Sequence, residues 1–141
     1  MNKEIKIGTH KVGINHQTYF IADIAANHDG DFSRAKDLIY LAAESGADAA
    51  KFQNFRASTI VSDYGFKSLG LQQSHQASWK KSVFEVYQDA SLPIEWTEGL
   101  KEACNAAQID YFTAPYDLDL VEGTEAVYSE RYGWTLRKVN S

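Results

Sequence analysis

Tyr19-Phe20-Ile21-Ala22-Asp23-Ile24-Ala25-Ala26-Asn27-His28-Asp29-Gly30-Asp31 decides how this chain is read. From Tyr19 to Ala25 the run is almost continuously apolar and of strand length, broken only by Asp23. Such runs fit a parallel strand buried on both faces. The polar turn that follows leads to Ala35, Leu38, Ile39, Ala42 and Ala43, spaced i, i+3, i+4, i+7, i+8 along one face of an amphipathic helix. Asp31 is placed to cap that helix at its start, and Ser45-Gly46 to end it.

Working outward, the unit repeats. Ala47–Gln53 is a second short apolar strand with Lys51 as its odd member, and Ile109–Pro115 is a third. Between them, Trp79–Ala90 predicts a helix, Pro93 fits a first helical turn, and Trp96, Leu100, Ala103, Cys104 and Ala107 form another helical face. The stretch Asn54–Ser78 has no clear period and reads as a long functional loop. Leu118–Tyr132 predicts a third helix, and Thr135–Val139 the start of a fourth strand. Ahead of the deciding stretch, Glu4–Gly8 and Lys11–Ile14 alternate around a Gly-Thr-His connection, which predicts a β-hairpin. Strand–helix alternation is the βαβ pattern of a parallel sheet, either an open doubly wound sheet or a (β/α)₈ barrel. No Gly-x-Gly-x-x-Gly follows the first long strand, and no Gly-x-x-x-x-Gly-Lys-Ser/Thr occurs.

Composition narrows the function classes. The 141 residues are 44% hydrophobic and 23% charged, with a formal net charge of −5. These fractions are those of a soluble globular domain. Three Trp, eight Tyr and seven Phe supply apolar surface to bury, which argues against disorder. Mild acidity argues against a nucleic-acid protein, which would usually show a basic stripe. Cys104 is alone, so no disulfide framework exists and the reducing cytoplasm is the expected compartment. No run approaches the roughly 20 apolar residues of a membrane span, and Met1-Asn2-Lys3-Glu4 is followed by no signal-peptide core.

In both candidate folds ligands bind where parallel strands end. Those ends offer Asp23, Asn27 and His28; Lys51, Gln53 and Asn54; Thr113, Pro115, Tyr116 and Asp117; and Lys138, Asn140 and Ser141. Lys51 and Gln53 fall on one face of their strand by the period of two. A carboxylate, two ammonium groups and several amides and hydroxyls on one rim would suit a small phosphorylated acid. Asp23 and Lys51 could instead be a structural ion pair, although charges inside strands are rare without a functional reason. His28 reads as a turn residue bonded to the backbone, and His10, His16 and His75 have no metal-ligand spacing. Cys104 reads as core, and Lys80-Lys81 as a solvated face.

Together the deciding stretch, Ala35-Lys36, Ala47-Asp48-Ala49-Ala50-Lys51-Phe52-Gln53 and Phe112-Thr113-Ala114-Pro115-Tyr116-Asp117 resemble the N-acetylneuraminate (sialic acid) synthase family. The resemblance runs in order from about residue 5 to residue 120. Farther on, Lys138-Val139-Asn140-Ser141 is similar to the opening of that family's Lys-Ile-Gly-Ser-Gly-Glu/Asp strand motif. The resemblance implies a TIM barrel: residues 1–16 as an N-terminal hairpin, and 17–141 as the first three βα units with a fourth-strand stub. It further implies condensation of phosphoenolpyruvate with N-acetylmannosamine or a related N-acetylated amino sugar, giving a nine-carbon 2-keto acid and phosphate. Another phosphoenolpyruvate–aldose condensation and a non-catalytic remnant are the alternatives.

By matched position, Lys51 and Lys138 would contact the phosphate or carboxylate of phosphoenolpyruvate, with Ser141 donating a hydrogen bond. Gln53, Asn27 and Thr113 complete the implied substrate-binding set, and Asp23 is the implied catalytic carboxylate, orienting the sugar or the attacking water. The family implies a divalent cation, typically manganese, held by His residues on later strands that these residues do not include, and a homodimer. Many members carry Glu where Asp23 stands and a hydroxyl residue where Ala114 stands. A whole barrel takes about 250 residues, so the expectation is an N-terminal portion that does not turn over substrate alone.

Overall fold

A computed structural model describes residues 4–68, 80–117, 120, 124–129 and 133–138. Its elements in order are β1 (Ile5–Ile7), β2 (His10–Val12), β3 (Ile21–Ala25), α1 (Phe32–Glu44), β4 (Ala49–Asn54), α2 (Ala57–Ile60), α3 (Asp63–Ser68), α4 (Val83–Ala90), α5 (Trp96–Ala106), β5 (Asp110–Pro115), β6 (Thr124–Ser129) and β7 (Gly133–Lys138). Strands β3, β4 and β5 form a parallel sheet in that order. The connections between them carry the helices, as parallel pairing requires. The protein is therefore α/β, with the strand order of the opening of a barrel.

Helix α1 forms where its caps say it should. The Asp31 carboxylate accepts the Arg34 N–H at 3.0 Å, satisfying a donor the helix cannot. At the other end Gly46, with φ of +85°, donates its N–H to the Ala43 carbonyl at 3.0 Å. Ala35, Ile39 and Ala42 are its buried residues, and they meet Leu100, Ala103 and Cys104 of α5 and Ile24, Ala50 and Phe52 of the sheet. Helix α4 starts on a capping box: the Ser82 hydroxyl accepts the Glu85 N–H, and the Glu85 carboxylate accepts the Ser82 N–H. It lies within the helix expected over Trp79–Ala90; Trp79 itself is outside the described residues. Part of the expected loop Asn54–Ser78 is the two short helices α2 and α3.

The N-terminal hairpin is present, with its turn shortened to Gly8-Thr9 because His10 already pairs with Ile7. It sits at the N-terminal ends of the parallel strands. Tyr19 OH donates to Asp110 Oδ2 at 2.5 Å, and His10 Nδ1 lies 3.4 Å from the same oxygen. Gly8 has φ of +55°, and a Cβ there would come within 3.1 Å of the Asp110 carboxylate. Glycine is thus required twice over at this turn, by conformation and by space.

Two expectations need correction, and a third element forms with an antiparallel partner. Strand β3 is not buried on both faces: Ile24 is buried against the helices, but Ile21, on the same face as Asp23, is 45% exposed, and Phe20 just before the strand is 60% exposed; β3 is the edge of its sheet among the described residues. Within the helix expected over Leu118–Tyr132, the described stretch Thr124–Ser129 is a strand; most of the rest lies outside the described residues. The strand expected over Thr135–Val139 exists as β7, paired antiparallel with β6 from Thr124↔Lys138 to Ser129↔Gly133. β-Branched and aromatic residues at Thr124, Val127, Tyr128, Trp134 and Thr135 favour pleated pairing over a helix.

Candidate active site

Register and the period of two sort the sheet into two faces. Ile24, Ala50 and Phe52 belong to the core shared with α1 and α5. The alternate residues point the other way, and register aligns Asp23 with Lys51 and Phe112, and Gln53 with Ala114. On that face Lys51 Nζ lies 3.3 Å from Asp23 Oδ2. The Lys51 side chain is 35% exposed and that of Asp23 55%, so the pair remains within reach of a ligand. Each charge is the third residue of its strand, Asp23 of five and Lys51 of six, with Gln53 one step nearer the rim.

The backbone ends β3 abruptly. Between Asp23 and Ala25 the register slips by one residue, and Ala25 takes a left-handed φ of +54°. A bulge of this kind bends the strand and re-aims its side chains. The Ile24 carbonyl then accepts both the backbone N–H of Asn27, at 3.0 Å, and its side-chain Nδ2–H, at 2.8 Å. Arg34 Nε donates to the Asn27 carbonyl at 2.8 Å and lies 3.2 Å from Asp29. The Asn27 amide is thus partly committed to shaping its own turn.

Other candidates fall elsewhere. Thr113 pairs in register with Phe52 and so faces the helices, away from Lys51. Its hydroxyl donates to the Asn54 side-chain carbonyl, and Asn54 is buried at 6% exposure. The two lock β4 to β5 just below the rim. Lys138 ends β7, opposite Thr124; Ser141 lies outside the described residues. His28 is fully buried and its Nδ1 accepts the Gly30 N–H, the backbone-bonded turn role expected of it. Cys104 is core, and burial pushes its thiol up to about 12, which rules out a thiolate nucleophile at neutral pH.

Arg56, just beyond β4, was not singled out from the sequence. Its guanidinium approaches Asp117 at 3.5 Å, joining the loops after β4 and β5. The signal available was its position, a cation two residues past a strand end. A cleft of about 420 Å³ borders Arg56 but is otherwise lined by residues such as Phe55, Phe84, Leu92 and Ile94. It contains neither Asp23 nor Lys51.

The described residues do not fit a divalent-cation site. No group of three or more His, Cys, Asp or Glu side chains converges among them. Asp23 faces an ammonium, and the His28 ring is sealed in the core side of its turn.

Fold and face together define the class, an α/β protein of the TIM-barrel kind with an ion pair on the face such a barrel turns inward. The chain belongs to the NeuB family, which residues 38–135 match. It is 34% identical over 105 residues to the N,N'-diacetyllegionaminic acid synthase of Legionella pneumophila, covering 74% of this chain and 29% of that protein. It is likewise 34% identical over 122 residues to the spore coat polysaccharide biosynthesis protein SpsE of Bacillus subtilis, covering 84% of this chain and 31% of that one. The solved N-acetylneuraminic acid synthetase of Leptospira borgpetersenii superposes with a TM-score of 0.65 at 26% identity, covering 86% of this chain and 37% of that one. The chain thus spans about a third of the length of the relatives it matches. No helix among the described residues is long and apolar enough to cross a membrane.

Proposed function

We propose that this chain supplies the phosphoenolpyruvate-facing part of a sugar-acid synthase. In that reaction carbon 3 of phosphoenolpyruvate forms a bond to the aldehyde carbon of an open-chain N-acetylated amino sugar, N-acetylmannosamine or a close relative. The aldehyde oxygen becomes a hydroxyl, water adds at carbon 2, and the carbon 2–phosphate unit collapses to a ketone as inorganic phosphate leaves. The product is a nine-carbon 2-keto acid.

The observation that carries the reading is the Asp23–Lys51 pair on the inward face. Lys51 offers a fixed positive charge to a substrate with two anionic groups, in a protein whose net charge of −5 gives no general attraction. Gln53, on the same face, can donate its amide N–H and accept through its carbonyl oxygen. Asp23 can accept a proton-bearing oxygen of the sugar or of water while it holds the Lys51 ammonium in place. Lys138 and Ser141 would add a second cation and a hydroxyl. A divalent cation, expected to be manganese, would be held by residues of the whole synthase other than those described, and the whole synthase is expected to act as a homodimer in the cytoplasm.

The test is phosphoenolpyruvate binding to the chain, followed by backbone and side-chain NMR. Perturbations centred on Asp23, Lys51 and Gln53, abolished in Lys51→Ala, support the reading. Perturbations confined to other residues, or binding unaffected by Lys51→Ala, overturn it.

A further inference from the structure

We infer that His28 is a proton-sensitive latch on the turn between β3 and α1, closed while its imidazole is neutral and released when it takes a second proton. The inference stands apart from the proposed reaction. His28 has no exposed surface. Its Nδ1 accepts the Gly30 N–H at 3.1 Å, so the ring's one proton sits on Nε2. That Nε2 is buried and has no hydrogen-bond partner among the described residues. The ring meets Trp96 edge to face, with centroids 5.6 Å apart. The turn around it is wound tightly, with Asp29 and Gly30 at left-handed φ of +51° and +72°, and Asp31 N–H bonded to the His28 carbonyl at 2.9 Å.

A second proton would turn the Gly30 acceptor into a donor, so two N–H groups would face each other. It would also place a full charge on a ring whose Nε2 has no hydrogen-bond partner among the described residues. From α5 the ring meets Trp96, which is uncharged. From α4, Asp89 approaches Gly30 through its backbone oxygen, and its carboxylate is held by Lys81 at 2.5 Å. At the head of α1 the Asp31 carboxylate caps Arg34 N–H, and Arg34 in turn sits on Asp29. Asp29 is the nearby charge that favours protonation, and burial outweighs it, holding the imidazole below its ordinary range.

Because the closed turn binds fewer protons than the open one, closure is favoured at neutral pH and lost in acid. Below an ordinary imidazole pKa of about 6.5 the opening equilibrium should rise about tenfold per pH unit, until the closed form itself titrates. The turn begins at the bulge beside Asp23 and carries Asn27, so its release would alter the rim of the candidate site.

Amide hydrogen exchange on the full chain between pH 7 and pH 5, corrected for intrinsic rates, tests this. Gly30 should lose protection by about tenfold per pH unit below about 6.5 while Leu100 and Ala103 in α5 keep theirs. Unchanged Gly30 protection, or a loss shared by Leu100 and Ala103, overturns the latch. His28→Asn retains an acceptor able to close an Asx-type turn but cannot titrate; its Gly30 protection should be independent of pH, and persistent dependence overturns the assignment. If that variant does not fold, the imidazole nitrogen shifts of the unaltered chain still decide. An ordinary titration midpoint with the Gly30 bond intact overturns the inference.

Discussion

Asp23 and Lys51 are register partners on adjacent parallel strands, with carboxylate and ammonium 3.3 Å apart on the face opposite the one that packs against α1 and α5. Exposed pairs contribute only about 0–1 kcal/mol to stability, so the pair's contribution should lie in ligand recognition. Lys51→Ala should therefore leave the unfolding midpoint in urea nearly unchanged. It should weaken phosphoenolpyruvate binding at least about tenfold, the loss of roughly 1.4 kcal/mol. Calorimetric titration alongside denaturation separates the two effects; a large stability loss with unchanged affinity would make the pair structural.

Turnover by these 141 residues alone is not expected. They offer no divalent-cation site among the described residues and span about a third of their relatives. Incubation with manganese, phosphoenolpyruvate and N-acetylmannosamine should release no phosphate above a protein-free control. Release that depends on Lys51 would show that the inward face of three strands suffices.

Ala25 holds a φ of +54°, a conformation that costs a side-chain-bearing residue about 1–2 kcal/mol. Ala25→Gly removes that strain at the expense of greater freedom in the unfolded chain, about 0.5–1 kcal/mol. The net expectation is a stabilisation of about 0.5–1 kcal/mol, read as a higher urea midpoint. A lower midpoint would mean that the Ala25 methyl packs productively at the bulge.

Gly99 presents the opposite case. It lies in α5, where alanine would normally gain about 1 kcal/mol in helix propensity. A Cβ at Gly99 would approach Phe32 Cζ to 2.6 Å, and Phe32 is itself packed against Trp96 with centroids 5.3 Å apart. Gly99→Ala should destabilise by about 1–2 kcal/mol, overpacking outweighing propensity. A stabilised variant would show that the Phe32 ring swings aside freely.

Cys104 should resist thiol reagents under native conditions. It is fully buried, with its thiol pushed up to about 12 chiefly by burial. Its labelling by a disulfide reagent at pH 8 should follow the rate of opening of the core instead of reagent concentration. Rapid, concentration-dependent labelling of the native chain would contradict that burial.

The features legible in the sequence were those governed by short-range rules. Asp31 and Gly46 bracket α1 because a capping carboxylate and a left-handed glycine act within one turn. Lys51 and Gln53 share a face because the strand period is two. Features that depend on a partner strand were harder to read. Phe20 and Ile21 are as apolar as a central strand requires, and only topology leaves them at an edge. Thr113 lies within the matched motif, yet its register with Phe52 and its bond to Asn54 turn it toward the helices. The segment Thr124–Ser129 chose a strand because Gly133–Lys138 lies opposite it in register.

The N-terminal hairpin has a consequence for traffic. With Gly8 pressed on Asp110, and His10 set between Asp48 and Asp110, the hairpin covers the beginnings of β4 and β5. Substrates and product would then share one doorway, at the strand ends. A blocker designed to fill the Lys51 side of the sheet should be built to enter from that side, and a label on the hairpin should leave passage unimpeded.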